Sequence, residues 1–395
     1  LRGPPPMTDA IVAAFEASEY AGRLAACRRA LAARGLDALL IFAQESQYYL
    51  FGYDGGGDVF FQCTVLTTDA GPSTLLCRRP DVAQARDTST IEEIRVWLNA
   101  EDADPAAQLR DILAEKGLTG ARVGVEMDSY GLTGANWEAV RTRVGAIAHL
   151  EDASDLVRRL RLVKSPAELA HIRTAGRLAD AAVTAVAATA APGVLDAELA
   201  AASLRAMLAG GGDVPPAGPL VNSGRRAIYG RGIGGPRQLD AEDQVMVELA
   251  ASYRRYTCCI ERPILIGRPS PAQHAMFAVV KEAMAAMLAA FVPGGTLGAV
   301  DTAHRQVLDA AGYGAHRYAA CGYSLGATFR PSWMDVPPMI YAGNPLILEP
   351  GMVFFPHAML GDSDSGLAFG LGDSVVVTET GFESLSQLPL DWILK

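Results

Sequence analysis

A strongly marked helix start near the middle of the chain constrains the fold more than any other sequence feature. Ser165 can accept hydrogen bonds from the exposed N–H groups of a first helical turn, and Pro166 suits the first helical position. Glu168 stands three residues after Ser165, where its side chain can bond back to the cap residue. The helix is predicted to end at Pro192-Gly193. Because 395 residues exceed what one ordinary core holds, a domain boundary is predicted just before this helix start.

Two domains are predicted, over residues 21–158 and 159–395. In the first domain, the apolar run Ala38–Phe42 is typical of a buried strand, and strands alternate with helices along the chain. This alternation favours an α/β layer structure. The other elements predicted there are helices at Arg23–Arg34 and Ala106–Glu115 and strands at Phe60–Leu66, Ser73–Cys77 and Val123–Glu126.

The second domain follows a different pattern, in which helices lie between and before paired strands. Such an order favours an α+β domain with a curved antiparallel sheet under helices. After the helix that begins at Ser165, helices are predicted at Ala197–Ala209, Ala272–Phe291 and Leu297–Ala311. Two hairpins are predicted, Val245–Ala250 with Tyr256–Ile266 and Met352–His357 with Leu371–Thr378.

The composition narrows the classes of partner. The net charge of −10 and the lack of a long basic run argue against a nucleic-acid binder. No stretch of eighteen apolar residues is free of charges and helix breakers, so no membrane span is predicted. The six cysteines lack CxxC spacing, which favours reduced thiols in a cytoplasm. A small molecule is therefore the expected partner.

Several segments make the chain resemble the creatinase, prolidase and aminopeptidase P family, whose catalytic domain has the pita-bread fold. The resemblance covers nearly the whole chain from about Arg23, and it implies a creatinase-like N-terminal α/β domain, a pita-bread catalytic domain and a homodimer. Gly322–Gly326 and Arg330–Trp333 are similar to the ectoine-hydrolase branch and to dimethylsulfoniopropionate lyase. The other segments that carry the resemblance are Gln47–Tyr53, Arg161–Leu169, Glu349–Phe354 and Val375–Gly381.

The resemblance also implies where metal ligands would lie. Family metallopeptidases hold two metal ions with two Asp, one His and two Glu, and the ions activate a bridging water. In chain order, those five positions fall on Glu248, Cys259, Tyr323, His357 and Gly372. Since one carboxylate of four is retained, a metal pair is not expected, and no metal or other cofactor is predicted.

A single zinc site formed by Glu248, Cys259 and His357 is an alternative, because all three residue types bind zinc. Strand alternation would put Cys259 and Glu261 on one face of the sheet. The competing interpretation is that Cys258 and Cys259 are small buried core residues, which is the commoner role of free cysteine.

Creatinase provides a precedent for cleaving a C–N bond without metal, and its strand carries Glu-Arg at the place of Glu261-Arg262 here. Its catalytic His has no counterpart in Gly224–Gly232, so that base cannot be carried over. His357 is predicted to be the acid/base instead, with Glu261 assisting, since an imidazole suits proton transfer at neutral pH. The competing interpretations are a satisfied buried His357 and a structural ion pair between Glu261 and Arg262. Three other histidines on predicted helices are expected to be solvated: His171, His274 and His304.

Tyr323 replaces a ligand position, so its phenol is predicted to point inward as a third catalytic group. Arginines are candidate anchors for a substrate carboxylate, because a guanidinium matches a carboxylate with two parallel hydrogen bonds. The predicted substrate-binding residues are Arg231, Arg255, Arg262, Arg330, Trp333, Tyr53, Glu248, Cys259 and Asp373.

The resulting functional hypothesis is a metal-independent, creatinase-like hydrolase that cleaves a C–N bond in a small carboxylated amide, amidine or ureido compound. Three alternatives stay open at this point. They are a lyase or cyclase on the same fold, a metallo-aminopeptidase or prolidase with an altered metal site, and a binding protein without catalysis.

Overall fold

The computed structural model describes residues 13–318 and 320–395, and the chain divides into two compact units, Leu1–Arg161 and Leu162–Lys395. The predicted boundary at residues 158 and 159 falls three residues before this division, inside helix α6, Ser154–Leu162. Within the described ranges, none of the helices combines the length and apolar character that a bilayer crossing requires.

The first unit is a six-stranded mixed sheet with helices, as its alternating pattern predicts. The strand order is β4-β3-β2-β1-β5-β6, and β1 pairs antiparallel with β2 and parallel with β5. Its strands are β1 Ala38–Ile41, β2 Cys63–Thr67, β3 Thr74–Arg78, β4 Glu93–Trp97, β5 Arg122–Val125 and β6 His149–Asp152. Its helices are α1 Ala17–Ala33, α2 Gln44–Phe51, α3 Val82–Thr88, α4 Pro105–Glu115, α5 Gly134–Arg143 and the bulk of α6.

The helix start that divides the sequence has the predicted geometry. The hydroxyl of Ser165 accepts a hydrogen bond from the backbone N–H of Glu168 at 3.2 Å, and the Glu168 carboxylate accepts one from the N–H of Ser165 at 2.9 Å. These reciprocal bonds satisfy two N–H groups that a helix end leaves unpaired. Helix α7 then runs over Pro166–Thr189.

The second unit is built on a nine-stranded sheet. The path is β14-β13-β11-β12-β9-β8-β7, with β10 beside β11 and β15 beside β9. The long hairpin of β8 and β9 is antiparallel and confirms the predicted strand Tyr256–Ile266 to the residue. The strands are β7 Leu220–Ser223, β8 Asp243–Tyr253, β9 Tyr256–Ile266, β10 Gly322–Ser324, β11 Val353–Gly361, β12 Ala368–Asp373, β13 Val375–Val377, β14 Phe382–Ser384 and β15 Ile393–Leu394.

The helices of this unit cover one face of the sheet. Helix α7 packs against α8, Asp196–Ala209, and against β8 and β9, whereas α9, Pro271–Ala289, packs against β11, β12 and α10, Leu297–Ala310. Because successive side chains of a strand point to opposite faces, every second residue enters this core. Those core residues include Val247, Leu249, Ile260, Ile264, Ala358, Phe369 and Leu371. The intervening residues face the other way, and they include the candidate site.

Candidate active site

One row of side chains crosses four strands on the face opposite the helices. The strand register pairs Glu248 with Glu261, Glu261 with Gly372, and Gly372 with His357. Residues directly opposite one another in a sheet share a face. The fold therefore brings two carboxyl groups from one hairpin together with an imidazole that lies far along the sequence, at position 357.

Two glycines on β12 make room for this row. A Cβ atom at Gly370 would lie only 2.9 Å from Oε2 of Glu261 and would overlap the rest of its carboxyl group. A Cβ atom at Gly372 would lie 2.7 Å from Cε2 of Phe355 and 3.0 Å from Cβ of His357. The Glu261 carboxyl group and the Phe355 ring thus occupy space that side chains on β12 would otherwise fill.

The two carboxyl groups are held in an environment that favours their protonated forms. Glu261 is fully buried, and neither of its carboxyl oxygens has a hydrogen-bond partner within the described part of the chain. Burial, and secondarily the charge of Glu248, raise the pKa of Glu261 well above its usual value. Burial also raises the pKa of Glu248 to about 7. Burial and the neighbouring Glu248 charge therefore both favour the neutral carboxylic acid form of Glu261.

His357 faces this acid as a neutral base. Its Nδ1 lies 3.9 Å from Oε2 of Glu261, and burial, with a smaller effect of His304, lowers the pKa of His357 to about 4. The His357 side chain keeps 11% of its surface exposed while Glu261 keeps none, so His357 is the more accessible of the two groups. The ring of Phe355 stacks on the imidazole with centroids 5.3 Å apart. An acid and a base thus stand almost in contact.

Tyr323 connects to the other end of the row. Trp333 donates a hydrogen bond from Nε1 to the Tyr323 hydroxyl at 2.6 Å, and the hydroxyl donates to Oε1 of Glu248 at 3.4 Å. Because an indole N–H only donates, the tyrosine proton is directed away from Trp333. Burial raises the pKa of Tyr323 well above its usual value, so the phenol is a permanent donor.

The donors on this face do not fit a pair of metal ions. Gly372 offers no ligand, and the Phe355 ring occupies the space beside it. Among residues 13–318 and 320–395, one group of three or more His, Cys, Asp or Glu side chains has ligand atoms in mutual reach, and it contains none of the five family positions. The alternative zinc site of Glu248, Cys259 and His357 is therefore not assembled either.

Two predicted substrate-binding residues lie on the wrong face and are corrected. Arg262 directly follows Glu261, so it points toward the helices, where it is buried and donates to the carbonyl oxygens of Gly372 at 2.7 Å and Pro389 at 2.9 Å. Asp373 lies 3.8 Å from Arg262 and accepts a hydrogen bond from Ser384. Arg262 thus pairs with Asp373 and not with Glu261, and both residues are structural.

Tyr53 requires a similar correction. It belongs to the first unit, where its side chain is fully buried in an apolar cluster and its hydroxyl donates to Oε1 of Gln62 at 3.1 Å. This burial leaves no surface with which Tyr53 can form the wall of a substrate pocket.

The remaining predicted arginines differ in their distance from the row. Arg231 is exposed, and its charge offsets part of the rise that burial causes in the pKa of Glu248, which indicates that it is near the row. Arg255 lies at the β8–β9 turn, six residues from Glu261, which is about 20 Å along an extended strand. Arg330 is exposed in the loop that leads to Trp333. Of the three, Arg231 has the best support as an anchor.

The prediction that His304 is solvated is wrong, because this side chain is buried beside Asp301 and Cys321. The signal was present in the sequence. Asp301, His304 and Leu308 lie four, seven and eleven residues after Leu297. All four residues therefore share one face of the helix, and that face is the buried one.

Two sequence families match the chain. Metallopeptidase family M24 matches residues 170–379, and the Creatinase/Prolidase N-terminal domain matches residues 23–163. Ectoine hydrolase from Halomonas elongata is 27% identical over 96% of this chain and 98% of its own length. Dipeptidase PepE from Mycobacterium ulcerans is 28% identical, with a TM-score of 0.82 over 96% of this chain and 99% of that one. A prolidase structure from Thermococcus sibiricus, 20% identical, has a TM-score of 0.85 over 95% of this chain and 99% of that one, which shows a shared fold.

Proposed function

Because the chain belongs to metallopeptidase family M24, we propose that it hydrolyses a C–N bond in a small carboxylated amide, amidine or ureido compound without the family's metal pair. The named relatives, an ectoine hydrolase and dipeptidases, agree with a hydrolase that acts on C–N bonds. The observation that carries the metal-independent part is the row of Glu248, Glu261 and His357, in which an acid and a base replace the ligand set.

In the proposed reaction, the neutral imidazole of His357 takes a proton from a water molecule as its oxygen bonds to the substrate carbon. The C–N bond then breaks, and the neutral carboxyl group of Glu261 gives its proton to the leaving nitrogen. The proton on His357 returns to Glu261 across the 3.9 Å gap, which restores both groups. Tyr323 is placed to donate to the oxygen or nitrogen that gains negative charge.

Arg231 is the proposed anchor for the substrate carboxylate. A guanidinium has five N–H donors, and Arg231 uses one of them on the carbonyl oxygen of Gly230 at 2.7 Å. Its position near Glu248 puts a positive charge at the mouth of the site. Ectoine, the compound named in one relative, combines a cyclic amidine with a carboxylate, so it is the first substrate to test.

The test measures turnover of ectoine, and of a panel of carboxylated amides and ureido acids, by mass spectrometry in ¹⁸O-labelled water. Hydrolysis is expected to place one labelled oxygen in the product, whereas elimination or cyclisation places none. His357→Gln and Glu261→Gln are each expected to lower kcat by about 10²–10⁴-fold. Glu242→Gln, in an exposed loop, is the matched control and is expected to leave kcat unchanged.

The role of metal is tested separately. Added Mn(II) or Co(II) is expected to leave kcat unchanged. Turnover that appears only with one of these ions, or that survives in His357→Gln, would overturn the proposed mechanism.

A further inference from the structure

A second cluster of chemically active side chains lies beside the His357 end of the row. Asp301 and His304 come from α10, and Cys321 directly precedes β10. All three are buried, with at most 2% of each residue exposed, and one ligand atom from each lies within 4.8 Å of the others. The backbone N–H of His357 donates to the carbonyl oxygen of Cys321 at 3.0 Å, which fixes the cluster against β11.

Polar atoms in this cluster lack partners. Both ring nitrogens of His304 and Oδ2 of Asp301 are buried without a hydrogen bond among the described residues. Arg305 lies 3.9 Å from that oxygen, which is too far for a hydrogen bond. An imidazole with neither nitrogen paired is unusual in a protein interior, and such groups indicate an ion or a water molecule that completes the site.

The donor types and spacing select the ion. We propose that Asp301, His304 and Cys321 bind one zinc ion, with a water molecule as the fourth ligand. Carboxylate, imidazole and thiolate are the three side-chain ligands that zinc uses. Zinc–ligand bonds of about 2.0–2.3 Å separate neighbouring tetrahedral ligands by roughly 3.3–3.8 Å. The 3.6 Å between Sγ of Cys321 and Oδ1 of Asp301 already has this value.

The helix supplies two ligands from one face, because residues three apart are neighbours on an α-helix. Zinc binding converts the Cys321 thiol into a thiolate and releases its proton to solvent. None of the three residues belongs to the five family ligand positions, so this site is separate from the metal pair and ties α10 to β10.

The experiment uses the full chain, purified without a histidine tag, and measures bound metal by mass spectrometry. About one zinc per chain is expected for the wild type, and close to none for Cys321→Ser and His304→Gln. Cys258→Ser, buried in the same unit, is the matched control and is expected to keep its zinc. Cobalt(II) replacement is expected to give a thiolate charge-transfer band that Cys321→Ser loses and Cys258→Ser keeps.

A wild-type protein that holds no tightly bound zinc would overturn the proposal and leave a water molecule as the partner of His304. A cobalt band that is lost only in Cys259→Ser would also overturn the zinc proposal, because Cys259, and not Cys321, would then be the thiolate ligand. If Cys321→Ser does not fold, the site is tested on the metal-stripped wild type. A Tm that rises when zinc is added, together with a thiolate band when cobalt(II) is added, supports the site. The zinc proposal and the proposed function can fail separately, because the function is measured by turnover without added metal.

Discussion

Replacing Glu248 by Gln tests the electrostatics of the active-site row most directly. Glutamine keeps the size of the side chain and an oxygen that can accept from Tyr323, but it removes the charge. Burial raises the pKa of Glu248 from 4.5 to about 7, so between these pH values the folded protein holds a proton that the unfolded chain has released. The contribution of Glu248 to the stability of the wild type is therefore most favourable below about pH 4.5 and falls as the pH rises toward 7.

The size of this loss follows from the same values. Moving a pKa from 4.5 to about 7 corresponds to about 3 kcal/mol, at about 1.36 kcal/mol per pKa unit. Because Glu248 is only partly buried, this figure is a ceiling, and about 2 kcal/mol is expected between pH 5 and pH 8. Glu248→Gln should remove this loss, so the free energy of unfolding of the variant should rise relative to that of the wild type as the pH rises.

The assay is urea denaturation of both proteins at pH 5 and pH 8, followed by fluorescence. Glu242→Gln, in an exposed loop, serves as the control and should follow the wild type at both pH values. If the difference between Glu248→Gln and the wild type is the same at pH 5 and pH 8, the reasoning about the buried carboxyl pair is refuted.

Three further substitutions test the surroundings of the row. Gly370→Ala puts a methyl group against the Glu261 carboxyl group and should lower both kcat and Tm; unchanged kinetics would contradict the packing described. Trp333→Phe removes the N–H that binds the Tyr323 hydroxyl and should lower the free energy of unfolding by about 1–3 kcal/mol, measured in urea. Ser165→Ala removes a helix cap and should cost about 1 kcal/mol of stability while kcat is unchanged.

The sequence predicts the fold well because local signals agree with the final structure. The cap at Ser165 and the apolar pattern of Tyr256–Ile266 each depend on neighbouring residues, and both are confirmed. The predicted family and fold class are also confirmed, by matches to both domains and by the related structures.

The candidate site was harder to predict, since its assembly depends on register between distant strands. Placing Cys259 and Glu261 on one face follows from alternation, and the same rule puts Arg262 on the other, although chemistry alone favoured it as an anchor. The prediction for His304 is wrong because a polar residue on a helix is usually exposed, and only the periodicity of α10 shows its burial.

The bare backbone at Gly372 has a consequence for substitutions at this position. A glutamate placed there would collide with the Phe355 ring, so installing a carboxylate requires a smaller residue at 355 in the same step. Either change alone leaves the protein worse off, with a steric clash in one case and a void in the other. Positions 372 and 355 are thus sterically coupled, and a design that puts a carboxylate at position 372 must begin with that aromatic ring.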